Sequence, residues 1–295
     1  MRKFVIISDT GCDLDKSLRE QYDVEYLPIH FSSDGQEYEA DLDWNSMPAK
    51  EFYDRMRNGT RFVTSQINVE TYKEAYRNYV KSGYDVLSIS SSSALSATIK
   101  SSQAAAEEVM REFPEGKIIC VDSLRGCHAL GILVIRASEL RAEGKTIEET
   151  ADWLNENKLR SNMIGSVESL VYLKRAGRVS ATSAFFGGLL NIKPIVIADA
   201  KGRNFAFEKV KGRKKSLERI AQLCKEAYVD DEHQHFFISH ADCIEDAEAL
   251  KQEVFKALGK EIDIHIGIVG SCVGSAVGPG MIGVYFLGKE VTVNK

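Results

Sequence analysis

The sequence predicts an α/β protein of two domains. Residues 1–160 read as an N-terminal three-layer domain with a mainly parallel sheet, and residues 161–295 as a C-terminal α+β domain with a mixed or antiparallel sheet. Three observations carry that prediction. A chain of 295 residues exceeds the roughly 100–200 residues of one ordinary domain. Its first half alternates short apolar runs with helical stretches, the pattern of βαβ units. Beyond Arg160 the pattern changes to runs with two-residue alternation set between helices.

Each element follows from its own residues. Lys3 to Ile7 is a short apolar strand, and a helix from Leu14 to Tyr22 opens after Asp13. Thr64-Ser65-Gln66 forms a loop before a helix from Val69 to Ser82, which Gly83 ends. Val86 to Ile89 is the next strand, and the helix from Leu95 to Phe113 stops at Pro114. Lys117 to Val121 is a third strand, after which a helix from His128 to Ala142 closes at Gly144. Thr146 with Glu149 three residues on is a capping box for a helix ending near Lys158. In the second domain Phe205 to Val210, Ile262 to Val269 and Ile282 to Phe286 read as strands.

Composition excludes several classes. The hydrophobic fraction of 44% and charged fraction of 27% are those of a folded globular protein. A net charge of −5 disfavours nucleic acid, whose partners carry a strongly basic footprint. The first apolar stretch is broken by Ser8 and Asp9, short of a signal-peptide core, and later runs fall short of an integral membrane segment. A cytoplasmic location is expected. Cys12, Cys120, Cys127, Cys224, Cys243 and Cys272 are scattered without a CxxC pair, so free thiols are expected and no metal or cofactor is predicted.

Ligands of a parallel sheet gather beyond the carboxyl ends of its strands. The loops expected there are SDTGCD (Ser8 to Asp13), SSSSALSAT (Ser90 to Thr98) and DSLRG (Asp122 to Gly126), joined by Thr64-Ser65-Gln66. Their hydroxyls and helix starts suit capture of a carboxylate or a phosphate, although each serine or threonine alone also reads as a helix cap. No base for serine catalysis lies in these loops except His128, better placed as the first residue of a buried helix, and neither GxSxG nor a phosphate loop occurs. The chain therefore reads as a binding protein without catalytic residues of its own.

The alternative is a small-molecule phosphatase using Asp9, because VIISDTGCD places an aspartate directly after a strand. The second acid that such enzymes carry two residues on is Gly11 here. Asp13 as a helix cap and Asp9 as a loop-fixing acceptor are the preferred readings. Gly274 to Gly283 is a glycine-rich turn fit for close approach to a ligand, and it brings Ser275 among the binding candidates. Lys209 to Lys215 carries five bases in seven residues, either a solvated helix entrance or a docking patch.

Taken in order, eight segments resemble the DegV family over essentially the whole chain: ISDTGCDL, TSQ (Thr64 to Gln66), SSALSAT (Ser92 to Thr98), VDS, YLKRAGRVS (Tyr172 to Ser180), IKPI, SHAD and VGPGMIG. The resemblance implies a two-domain fold that buries a long-chain fatty acid in a tunnel, its carboxylate held by Thr64, Ser65, Ser92, Ser93 and Ser96. A tail of some sixteen carbons would gain on the order of 10 kcal/mol from burial before ordering costs. The resemblance also implies a partner, an ATP-dependent fatty acid kinase subunit that makes an acyl phosphate. Arg178, and Lys211 or Arg213, are the candidates for orienting the carboxylate or docking that partner. The chain departs from the family at Ala276, commonly histidine, and at Ala97, Cys127 and Ala129.

Overall fold

The computed structural model describes residues 2–181 and 191–294. The N-terminal half runs β1 (Phe4–Asp9), α1 (Lys16–Tyr22), β2 (Glu25–Leu27), β3 (His30–Ser33), β4 (Gln36–Glu39), α2 (Ala49–Arg57), β5 (Val63–Ser65), α3 (Val69–Lys81), β6 (Asp85–Ser90), α4 (Thr98–Glu112), β7 (Ile118–Asp122), α5 (His128–Ala142) and α6 (Ile147–Asn157). Strands β2, β1, β6 and β7 form, in that order, the expected parallel sheet. Its two faces follow from the two-residue strand period. Ile7, Val86 and Ile118 pack on Tyr72, Tyr76 and Val109 of α3 and α4. Ile6, Leu87, Ile89 and Val121 pack on Leu130 and Val134 of α5. The result is three layers.

The C-terminal half runs β8 (Ser161–Ser166), α7 (Val171–Ala176), β9 (Ile192–Ala198), β10 (Asn204–Lys211), α8 (Arg213–Ala227), β11 (Phe237–His240), α9 (Ile244–Leu258), β12 (His265–Ile268), α10 (Ser271–Val277) and β13 (Ile282–Leu287). Its sheet, ordered β10-β9-β8-β13-β11-β12, is antiparallel except for the parallel β11–β12 pair. Ile238, Ile282, Val284 and Phe286 meet Ile220, Leu250 and Val254 of α8 and α9. The opposite face, with Phe237, Tyr285 and Leu287, joins the same apolar cluster as α5. That explains why α5 carries no polar stripe: buried from His128 through Ser138, it lies between two sheets.

Arg125 adds a polar link between the halves. It is 1% exposed and donates to the carbonyls of Ser161 at 2.5 Å, Leu124 at 2.7 Å, Leu159 at 3.2 Å and Asp199 at 3.3 Å. Burial lowers its basicity to a pKa of about 10. Carbonyls from three segments are thereby satisfied by one side chain.

Some elements differ from expectation. Helix α4 starts at Thr98 and not at Leu95, because the serine loop makes its own turn, with Leu95 and Ser96 N–H both donating to the Ser92 carbonyl. Helix α1 is capped by Asp15, whose Oδ1 accepts from Leu18 N–H at 3.0 Å, and not by Asp13. A left-handed φ of 54° at Asp13 ends the preceding turn and sends its carboxylate elsewhere. Strand β12 is confined to His265–Ile268 within the longer run expected.

The three-stranded antiparallel sheet β4-β3-β5 was not anticipated, and it takes up Thr64 and Ser65, expected in a loop. Asp34 and Gly35, both at positive φ, turn β3 into β4, as a two-residue hairpin requires. The capping box of Thr146 and Glu149 is present. Among the described residues no helix is long and apolar enough to cross a membrane.

Candidate functional site

A cavity of about 530 Å³ opens where the carboxyl ends of β1 and β6 face β5, α7 and α10, within the usual range of roughly 300–1,000 Å³ for small-molecule sites. Its apolar wall includes Ile29, Met56, Phe62, Leu95, Tyr172, Val273 and Val277. The β5 side of that wall is stiffened by aromatic packing. Phe62 stacks on Phe52 at 4.5 Å, and Phe52 meets Phe31 edge-on at 5.6 Å.

Five of the residues expected at the site line it: Thr64, Ser65, Ser96, Arg178 and Ser275. The Ser96 hydroxyl shares a hydrogen bond with Thr98 Oγ1 at 2.8 Å and accepts from Thr98 N–H, so it also serves the start of α4. Ser275 donates to the Cys272 carbonyl at 2.8 Å. Both Thr64 and Ser65 line the cavity and their hydroxyls have no hydrogen-bond partner among the described residues, although as consecutive residues of β5 they send their side chains to opposite faces of that strand.

Ser92 and Ser93 stand apart from the lining. Ser92 is fully buried and donates to the Gly202 carbonyl at 2.8 Å, tying the serine loop to the C-terminal half. Ser93 is exposed, and its N–H bonds Asp122 at 3.1 Å. Within the run Ser90 to Ser93, the serine that lines the cavity is Ser91, one residue before Ser92. Its hydroxyl donates to Asp9 Oδ1 at 2.6 Å and its N–H to Asp9 Oδ2 at 2.7 Å.

Asp9 is a loop-fixing acceptor. It also takes the Gly11 N–H at 2.8 Å, so both carboxylate oxygens are engaged, and the residue is fully buried. Burial raises its carboxyl above the ordinary range, against the opposing pull of those bonds. Asp9 itself is not among the residues that line the cavity. Gly11 is set by the same contact: a Cβ there would stand 2.3 Å from Ser91 Oγ and 2.8 Å from Asp9 Oδ1.

Charge at the mouth is uneven. Most of the chain's arginines sit against a carboxylate, as Arg19 does with Asp43 and Arg213 with Asp246. Arg178 instead donates Nε to the Leu95 carbonyl at 2.9 Å and Nη1 to the Ala176 carbonyl at 2.5 Å. Arg61 and Arg175, neither anticipated from the sequence, also line the cavity and make no hydrogen bond or ion pair among the described residues. Three guanidinium groups without a carboxylate partner among the described residues thus border one apolar chamber. Arg213 lies outside the lining, held by Asp246 and the Gly280 carbonyl at 2.9 Å, and Lys211 is exposed outside it.

His128 is buried, as expected of the first residue of α5. Its Nδ1 is 2.7 Å from Ser239 Oγ and its ring stacks on Phe237 at 4.6 Å. Burial brings its pKa down to about 3, so the imidazole is neutral. Among the described residues no group of three histidine, cysteine or acidic side chains could hold a metal ion.

Comparison with known proteins places this geometry among relatives. The family model described as "Uncharacterised protein, DegV family" matches residues 3–289. A DegV domain-containing protein of Clostridium perfringens is 40% identical over 288 residues, 98% of each chain. Among solved structures, a DegV lipid-binding protein of Thermotoga maritima superposes with a TM-score of 0.86 at 28% identity, covering 98% of this chain and 100% of that one. A fatty-acid-binding DegV family protein of Thermus thermophilus gives 0.85 at 28% identity with the same coverage.

Proposed function

The chain belongs to the DegV family, and from that premise we propose that it binds a long-chain fatty acid, burying the tail in the apolar cavity and holding the carboxylate at the hydroxyl-lined, arginine-bordered mouth. One observation carries the reading. Thr64 and Ser65, whose hydroxyls have no hydrogen-bond partner among the described residues, line the same chamber as Ile29, Met56 and Phe62, with Arg61, Arg175 and Arg178 beside them. An apolar interior stabilises a tail by about 0.8 kcal/mol per buried methylene, and neutral donors with nearby cations fix the head.

Ser96, Ser275 and the Ser91–Asp9 pair frame the head end in this reading, while Ser92 and Ser93 act on the loop itself. We infer further that the exposed Arg175 and Arg178 present the carboxylate to an ATP-dependent kinase partner. Their position at the mouth and the family resemblance support that step.

The test is direct. Denaturing mass spectrometry of gently purified protein should recover a fatty acid, and delipidated protein should take up palmitate or oleate. Thr64→Val combined with Ser65→Ala should weaken binding about tenfold, one lost hydrogen bond to a charged head being worth roughly 1.5 kcal/mol or more. No recovered lipid and no uptake would refute the reading.

A further inference from the structure

Helix α10 supplies Cys272, Val273, Ser275, Ala276 and Val277 to the cavity wall, yet its own N-cap residue, Gly270, has no side chain to cap it. The cap comes from the other half of the molecule. Asp13 Oδ1 accepts the Gly270 N–H at 3.1 Å across 257 residues of sequence. Gly270 is what permits the approach, since a Cβ there would lie 2.6 Å from that oxygen. The Tyr53 hydroxyl reinforces the junction by donating to the Val269 carbonyl at 2.6 Å.

The Asp13 side chain is unusual in two ways. It is 5% exposed, and its second oxygen, Oδ2, is buried with no geometrically formed hydrogen bond among the described residues and only the Cys127 thiol beside it. The titratable groups around it are Asp9 and Cys12 on its own loop, Tyr53 on α2, Cys127 before α5, Cys272 on α10 and Tyr285 on β13. Burial raises the thiols and phenols, which stay neutral. Among the described residues no ion pair to Asp13 occurs; Lys16, Asp43 and His128 line a second cavity with it, and Asp15, two residues on, meets His265 at 2.9 Å. Burial, opposed by the Cys127 thiol and the Gly270 N–H, pushes the Asp13 carboxyl up to about 7.

We propose that Asp13 is a positioning residue that ties α10 to the N-terminal half, and that protonating it loosens the cavity wall and speeds exchange of the bound fatty acid. A hydrogen bond to a carboxylate is roughly twice as strong as one to a neutral group, so the tie is firm when Asp13 is ionised and slack when it is not. The inference rests on the fatty-acid reading of the cavity for its ligand, but the tie itself does not.

Two measurements on the full chain separate these parts. Release of a fluorescent long-chain fatty acid, followed by stopped flow from pH 5.5 to 8.5, should be roughly fivefold faster at the acid end. Asp13→Asn, which suits the left-handed backbone and cannot titrate, should flatten that profile. Gly270→Ala should speed release at every pH. In ¹⁵N-glycine-labelled protein without ligand, the Gly270 amide should shift with a midpoint near 7 in the native chain and not in Asp13→Asn. A native pH profile retained in Asp13→Asn, or a Gly270 amide that does not titrate, would overturn the proposal. A chain that binds no fatty acid at any pH sinks the functional reading and the exchange step with it, and a Gly270 amide that still titrates marks that failure as distinct.

Discussion

At the scale of single residues, a shift of one position decides what a serine does. Ser91 follows directly on β6, where it reaches both Asp9 and the cavity, whereas Ser92 turns toward Gly202 and Ser93 toward solvent. A run of four serines carries no mark of which hydroxyl faces inward, because that depends on where the strand stops. Arg61 and Arg175 were invisible for a related reason, since an exposed arginine leaves no periodic trace. Gly11 gives the sharpest test at this scale. Gly11→Ala drives a Cβ into Ser91 Oγ and Asp9 Oδ1, so the pair must separate and leave a buried carboxylate under-bonded. Urea denaturation should show a loss of roughly 1–3 kcal/mol, accompanied by weaker fatty-acid uptake.

At the scale of elements, the sequence was most informative where burial is one-sided or complete. Strands β1, β6 and β7 and helices α3 and α5 stand close to the expected spans, because apolar period and glycine stops agree there. The sheet of β3, β4 and β5 escaped notice, since strands of three or four residues hold too few positions to show alternation, although the Asp34-Gly35 turn was a usable signal. Arg125 belongs to this scale, because it serves the loop after β7, the entry to β8 and the end of β9 together. Its replacement by methionine relieves the burial of a cation but strips three segments of their donor. The second effect should win, lowering stability by roughly 2–4 kcal/mol in thermal or chemical unfolding.

For the whole molecule, two buried groups titrate in opposition. Burial brings the folded-state pKa of His128 to about 3 from its ordinary 6.5. It therefore favours the folded state above 6.5 and loses that contribution as pH falls toward 3. Asp13, raised to about 7 from 3.8, contributes below 3.8 and loses its contribution as pH rises through 7. Between about pH 4 and 6.5 the two slopes largely cancel. Asp13→Asn should therefore lose stability more steeply toward acid than the native chain, and His128→Gln less steeply. Unfolding free energies measured at half-unit intervals of pH would show both.

The position of α5 between two sheets has a consequence for how the protein is made. One side of that helix is covered by strands already synthesised, but the other waits for β8, β11 and β13, which arrive from the ribosome much later. During translation a greasy flank stands open to water, and nascent chains would need shielding by a holding chaperone until the closing strands emerge. A truncated chain stopped at Arg160 should accordingly be recovered in inclusion bodies or bound to such a chaperone, while the full-length product stays in the supernatant.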